Sequence, residues 1–232
     1  MKLESQTIAV SNLRPEWVVQ MRQLMQTHYE GVSEQQFLAD LQAKHWVILL
    51  YDNCQLCGFS TQAVFDYWHE SRLIKILFSG DTIIDKSHWG SMALPVAWGR
   101  LMLSLHTTYP RTELYWLLTS KGYKTYRFLP VFFHEFYPCY SAETPDLEMT
   151  LLRNVATQRF GVRFDAAAGV LRAKPDAQRL REGVADVDGR RLRDPHVAFF
   201  QRQNPGHGRG DELVCLARFH PDNLKPYIRR QL

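Results

Sequence analysis

Between Arg72 and His106 the chain changes its hydrophobic period within a few residues, and that change limits what it can fold into. Arg72 to Asp85 (RLIKILFSGDTIID) is apolar and β-branched and reads as one long strand. Ser79-Gly80 interrupts it, and a glycine inside a strand predicts a bulge or a close backbone approach. Lys86 to Ser91 (KSHWGS) is a short polar loop. From Met92 to His106, Leu94, Trp98, Leu101, Met102 and Leu105 recur at helical spacing, and Pro95 fits only near the start. A strand that runs through a glycine-bearing loop into a helix gathers unpaired amide N–H groups and a partial positive charge at one point. That point suits a phosphate or pyrophosphate. Lys86 and His88 could add charge there, Ser87 and Ser91 hydroxyl donors, and Gly90 close backbone approach.

The flanking segments supply a sheet and its cover. Ser11 to His28 reads as a helix with Pro15 in its first turn, and Ser33 opens a second, shorter helix. His45 to Tyr51 and Gly58 to Tyr67 read as strands joined by a turn at Asp52-Asn53. Glu113 to Thr119 (ELYWLLT) is another buried strand, Lys121-Gly122 turns the chain, and Tyr123 to Phe136 reads as an aromatic helix. After about residue 141 the texture becomes more polar. Asp146 to Phe160 reads as a helix, and His196 to Gln203 and Glu212 to Phe219 as two strands. The expected organisation is an α/β (α+β) unit over residues 1–140, with a mixed, mostly antiparallel central sheet flanked by helices. Residues 141–232 would be a C-terminal appendage packed on it.

With 232 residues, 45% of them hydrophobic, the chain can build a sizeable core. The net charge of +4 suits an anionic ligand or an acidic partner and is too small to argue for nucleic acid. Arginines concentrate late, at Arg153, Arg159, Arg163, Arg172, Arg179, Arg181, Arg190, Arg191 and Arg193. They form either a solvated basic face or a docking surface for an acidic partner. Met1 to Val10 has no apolar signal core, and no apolar run approaches the roughly 20 residues of a membrane span. The expectation is a soluble cytoplasmic protein with its four cysteines reduced. Cys54 and Cys57 form a lone C-x-x-C without further ligands nearby, so no metal is expected.

The element order from Trp17 to Phe136, with the strand RLIKILFSGDTIID, the loop KSHWGS, the helix MALPVAWGRLMLSL and the strand ELYWLLT before GYKTYRFL, resembles the Gcn5-related N-acetyltransferase (GNAT) superfamily. The resemblance covers roughly residues 5–137. It implies that the long strand holds the pantetheine arm of an acyl-CoA through its backbone, that the loop wraps the pyrophosphate, and that the next strand splays away to leave a slot for the thioester. Gly90 matches the first glycine of the family's Arg/Gln-x-x-Gly-x-Gly/Ala loop, while Ser87 and Met92 stand at its other two marked positions. On this reading Ile83, Ile84, Asp85, Lys86, Ser87, His88, Trp89, Gly90, Ser91 and Met92 bind acetyl-CoA or a longer acyl-CoA.

Direct attack of an amine on the thioester needs a base, amide donors to polarise the carbonyl, and a proton for the departing thiolate. Asp81 is the expected base, beside the strand irregularity, with Glu113 second. Tyr126 is the expected acid, on the helix after the splayed strand; it is also one of a run of aromatics suited to a core. The acceptor would be an amine of a small molecule or a protein. Two alternatives stay open: an N-acyl synthase fed by an acyl carrier protein, similar to acyl-homoserine-lactone synthases, and a non-catalytic binding module that keeps the fold.

Overall fold

The structure, a computed structural model, describes residues 3–232. In chain order the elements are β1 (Glu4–Ala9), α1 (Pro15–His28), β2 (Tyr29–Glu30), α2 (Glu34–Gln42), β3 (Trp46–Asp52), β4 (Gln55–His69), β5 (Arg72–Ile84), α3 (Ala93–Thr108), β6 (Glu113–Ser120), α4 (Tyr123–Tyr126), α5 (Phe128–Phe132), α6 (Asp146–Phe160), β7 (Phe164–Asp165), β8 (Val170–Leu171), β9 (Arg179–Leu180), α7 (Pro195–Gln203), β10 (Glu212–Phe219) and α8 (Pro226–Arg229). Eight strands form one sheet in the order β1-β3-β4-β5-β6-β10-β8-β7. Every neighbour pair in it is antiparallel except β5 and β6. Among the described residues no helix is long and apolar enough to cross a membrane.

Both faces of the sheet are covered, and the alternation along each strand shows how. In β6, Leu114, Trp116 and Leu118 join a core with Leu94, Trp98 and Met102 of α3, Tyr126 of α4, Phe132 of α5 and Phe200 of α7. Tyr115 and Leu117 point the other way, to Leu151, Leu152 and Val155 of α6. The same far face continues under Met21 and Met25 of α1 and Phe37 and Leu41 of α2. The result is three layers, with the sheet between two sets of helices. Burial of each large side chain contributes about 1.5–3 kcal/mol, so the sheet is anchored from both sides.

Three expectations change. Pro195–Gln203 is a helix, because Asp194 caps it by accepting from the His196 amide at 2.9 Å and Pro195 occupies the first turn. The stretch from Tyr123 to Phe136 is two short helices followed by extended chain. Pro130 has no N–H to give the Tyr126 carbonyl, so a continuous helix cannot pass. The third change concerns residue 140. Strand β10 pairs along β6 from Phe219↔Leu114 to Leu213↔Ser120, and Val170, Val197, Phe200 and Leu213 share the core of Trp98 and Trp116. The part after residue 140 therefore completes the sheet, and no boundary of the core falls there.

Candidate active site

The ladder between β5 and β6 begins at Ile74↔Glu113 and stops at Ser79↔Leu118. Beyond that point β6 stays with β10, and β5 continues to Ile84 paired with β4 alone. The two strands splay apart. At the same place Ser60 pairs with Thr82 and Gln62 with Ser79, so Gly80 and Asp81 together oppose Thr61. This is the bulge expected at Ser79-Gly80. A Cβ at Gly80 would sit 2.6 Å from Lys44 Cε and 2.7 Å from Thr61 Oγ1, so a side chain there would force Lys44 or Thr61 to move.

The extra residue reverses the alternation of β5. Before it, Ile76 and Phe78 face α6. After it, Ile83 faces α1 and α2 while Ile84 packs toward α3. Asp81 therefore goes with Ile83, and Thr82 goes to the opposite face. Asp85 donates its amide to Cys57 O at 2.8 Å. By the alternation of an antiparallel ladder, the Thr82 and Ile84 amides then point away from β4 and into the splay.

On the α3 face lies a cleft of about 550 Å³, lined by Thr82, Ile83, Ile84, Trp89, Gly90, Ser91, Met92 and residues of α4. Gly90 has φ +95° and nothing within 4 Å of the position a Cβ would take. Trp89 Nε1 donates to Ile84 O at 2.9 Å, tying the loop to the strand end. Lys124, Arg127 and Arg191 line the same cleft. The Lys124 ammonium lies 2.9 Å over the centre of the Trp89 ring and donates to Val184 O. Burial, then the charges of Arg191 and Lys86, push Lys124 down to about 8. A cleft in which neighbouring cations depress the proton affinity of a lysine is set for an anion. His28 is buried in the same wall, its Nε2 lacks a partner, and burial lowers its pKa.

Asp85, Ser87 and His88 shape the loop instead of lining the cleft. Asp85 Oδ1 accepts from Ser87 N at 3.0 Å and Ser87 Oγ at 2.7 Å, and these bonds hold its carboxyl below the usual range. His88 Nδ1 lies 2.9 Å from Ser87 Oγ, and its Nε2 lies 3.1 Å from Asp52 Oδ2. Lys86 is exposed beside the cleft, 6.0 Å from the Trp89 ring centre.

On the opposite face is a polar cavity of about 450 Å³, reached by Asp81, Lys44, Phe78, Lys121, Arg159 and Glu212. Gln178 Nε2 donates to Asp81 Oδ1 at 3.4 Å. Burial pushes the Asp81 carboxyl up; Lys121 and Lys44 oppose the shift, and Asp40 and Glu212 reinforce it. Tyr29, Thr82 and Thr125 line both cavities, so the two meet at the splay. Burial, then Asp81 and Glu212, push the Tyr29 hydroxyl well above the ordinary phenol value, and it stays protonated. Beneath the meeting point is a void of about 20 Å³ walled by Leu94, Pro95, Trp98, Trp116 and Phe132. Its polar side is a hydrogen-bonded chain: Trp116 Nε1 to Ser79 Oγ (2.9 Å), Ser79 Oγ to Gln62 Oε1 (2.6 Å), Gln62 Nε2 to Ser60 Oγ (2.7 Å), and Ser60 with Thr82 (2.7 Å).

Two expected residues are elsewhere. Glu113 opens β6 opposite Ile74 and lies 4.0 Å from Arg72. Five ladder steps, roughly 16 Å, separate it from the splay. Tyr126 is fully buried among Phe136, Phe199 and Phe200 and donates to Pro138 O at 3.0 Å. Burial pushes its hydroxyl far up, and it serves the core. Sequence reasoning passed over His28, Tyr29, Lys44 and Lys124, which adjoin helix ends or turns and carry no motif. Of the late arginines, Arg159 and Arg163 reach the polar cavity and Arg191 the cleft. Arg172 pairs with Asp165 and Asp211, and Arg179 and Arg181 with Glu30. Cys57 is buried and bonds Leu50 O, while Cys54 is exposed. Among the described residues no group of three His, Cys, Asp or Glu side chains is placed to hold a metal.

No family model matches the sequence, and no curated protein matches it. Solved structures do. A conserved Enterococcus faecalis V583 protein, described as a probable N-acyltransferase, is 12% identical with a TM-score of 0.45 over 68% of this chain and 43% of its own. The chain thus spans less than half the length of that protein. Escherichia coli ElaA is 16% identical with a TM-score of 0.39, covering 62% of this chain and 95% of its own. The Escherichia coli GNAT family N-acetyltransferase YhbS, solved in complex with CoA, is 13% identical with a TM-score of 0.39, covering 55% of this chain and 69% of its own. The structures to which this chain is similar thus include a probable N-acyltransferase and a GNAT family N-acetyltransferase.

Proposed function

We propose that the protein transfers a short acyl group from acyl-CoA to an amine. One observation carries the reading: beside the bulge at Gly80-Asp81, where β5 and β6 part, two cavities on opposite faces share Tyr29, Thr82 and Thr125. One is an electropositive cleft, and the other holds a carboxylate with raised proton affinity. CoA would lie in the cleft, its pyrophosphate at the Gly90 loop and the start of α3, with Lys124 and Arg191 adding charge. The thioester would reach the splay, where the free amides of Thr82 and Ile84 polarise its carbonyl.

From the polar cavity, the amine nitrogen forms a bond to the carbonyl carbon. Asp81 takes the proton that the ammonium must lose, directly or through a water. The C–S bond breaks, and the proton shed by the new amide nitrogen passes through water to the departing thiolate, to which the Tyr29 hydroxyl hydrogen-bonds. The void below the splay is about 20 Å³, closed by Trp98 and Trp116, so it favours acetyl over long acyl groups. The test is calorimetric titration with acetyl-CoA and decanoyl-CoA, with Gly90→Asp as control. Micromolar acetyl-CoA binding that the aspartate abolishes, with weaker decanoyl-CoA binding, is expected. Equal binding by wild type and Gly90→Asp would remove the cleft from the reading.

A further inference from the structure

We infer that the acceptor is an amine that also carries an anionic group, carboxylate or phosphate, seated against Arg159 and Lys44. The inference rests on the acyl-transfer reading and names the acceptor class of the same site. Arg159, from α6, places its guanidinium carbon 4.2 Å from the Phe78 ring centre and 4.9 Å from that of Phe65. Its Nε is buried without a partner, and no carboxylate among the described residues lies within 4 Å of it. Lys44, just after α2, holds its ammonium 5.7 Å from the same Phe78 ring. That ammonium donates to the backbone carbonyl of Asp40 at 2.8 Å.

Two cations thus converge on one aromatic wall without a carboxylate in contact. Burial lowers the proton affinity of both, and their mutual repulsion lowers that of Lys44 further. Carboxylates act on them only through their fields, Asp81 and then Asp40 on Lys44, and Asp40 on Arg159. The next cations along the cavity differ. Lys121 and Arg163 lie 3.7 Å and 3.5 Å from Glu212. Two cations with no carboxylate in contact therefore sit together at Phe78, three residues along β5 from Asp81. The planar guanidinium fork of an arginine held over a ring is suited to a carboxylate or phosphate. An acceptor with its amine at Asp81 and an anionic group a few bonds away would engage both ends of the cavity.

The test compares kcat/KM, by release of CoA thiol from acetyl-CoA, within matched pairs: glycine and glycinamide, β-alanine and its amide, phosphoethanolamine and ethanolamine. The anionic member should lead by at least about tenfold in one or more pairs, and the leading pair tells carboxylate from phosphate. Arg159→Gln, and Lys44→Gln as a second variant, should bring that ratio to within about threefold of one. Equal rates within every pair, preference for the neutral members, a ratio unmoved by both variants, or acetyl-CoA binding with no amine consumed would overturn the inference. Failure to bind acetyl-CoA would instead sink the acyl-transfer reading, and the inference with it.

Discussion

Asp81→Asn is the sharpest probe of the site, because it separates chemistry from stability. Asparagine keeps the size of the side chain and an oxygen for Gln178 Nε2, which lies 3.4 Å from Asp81 Oδ1. It cannot accept the proton of the incoming ammonium. Loss of a positioned base costs about 10²–10⁴-fold in rate, or about 3–5 kcal/mol of barrier. The assay is continuous thiol release from acetyl-CoA. The KM for acetyl-CoA should stay within about twofold, since Asp81 faces the other side of the sheet from the cleft. Stability should move in the opposite direction. The folded carboxyl holds its proton above the ordinary aspartate range, chiefly through burial. Above the unfolded pKa the native state therefore binds the proton more tightly, and its stability declines as pH rises through the raised value. Asparagine has no such loss. The melting temperature of the variant relative to wild type should thus climb from acid toward neutral pH. Activity within about threefold of wild type, or a melting difference that does not grow with pH, would refute the reasoning.

Other expectations can be checked with the same protein. Lys124 titrates near 8, so acetyl-CoA binding should weaken as pH rises from 7 to 9, as measured by calorimetry. Lys124→Gln should flatten that dependence and weaken binding by roughly 10–150-fold, the equivalent of a charged hydrogen bond of about 1.5–3 kcal/mol. Tyr126→Phe removes the bond to Pro138 O and should cost about 1–3 kcal/mol in urea unfolding, with kcat within twofold. Glu113→Gln, at the far end of β6, should leave both kcat and KM within twofold; a tenfold drop would place it back in the mechanism.

The fold was legible where one local rule decided it. The turn at Asp52-Asn53, the Ser33 cap, which accepts from the Gln36 amide, and Pro15 in the first turn of α1 all gave their elements. So did the break at Ser79-Gly80, and the bulge found there is why Asp81 faces a cavity. What stayed hidden depended on distant partners. Nothing local to Glu212–Phe219 says that it will pair with β6, so residues 141–232 looked like an addition to a finished unit. The Asp194-Pro195 start of α7 was a readable cap, outweighed by the β-prone apolar residues Val197, Phe199 and Phe200. Tyr126 was placed correctly in sequence, yet its helix turns the ring into the core. The cations failed for the same reason as β10. Lys44 and Arg159 lie far apart in the chain and converge only because α2 and α6 cover the same face of the sheet.

Strand β10 has a consequence for the order in which the molecule is assembled. It fills the gap between β6 and β8 and arrives late in the chain. Before it docks, the backbone edge of β6 is unpaired, and Leu114, Trp116 and Leu118 lack much of their cover. Closing so long a loop is slow, because its entropy must be lost before any contact compensates. A nascent or refolding chain would therefore pass through a stage with a sticky, open sheet. Gln178, Arg191 and Glu212, which line the two cavities, come from the same late segment. The binding surfaces and the protection from aggregation are thus acquired in one closing step, and a chain halted before that step would have neither.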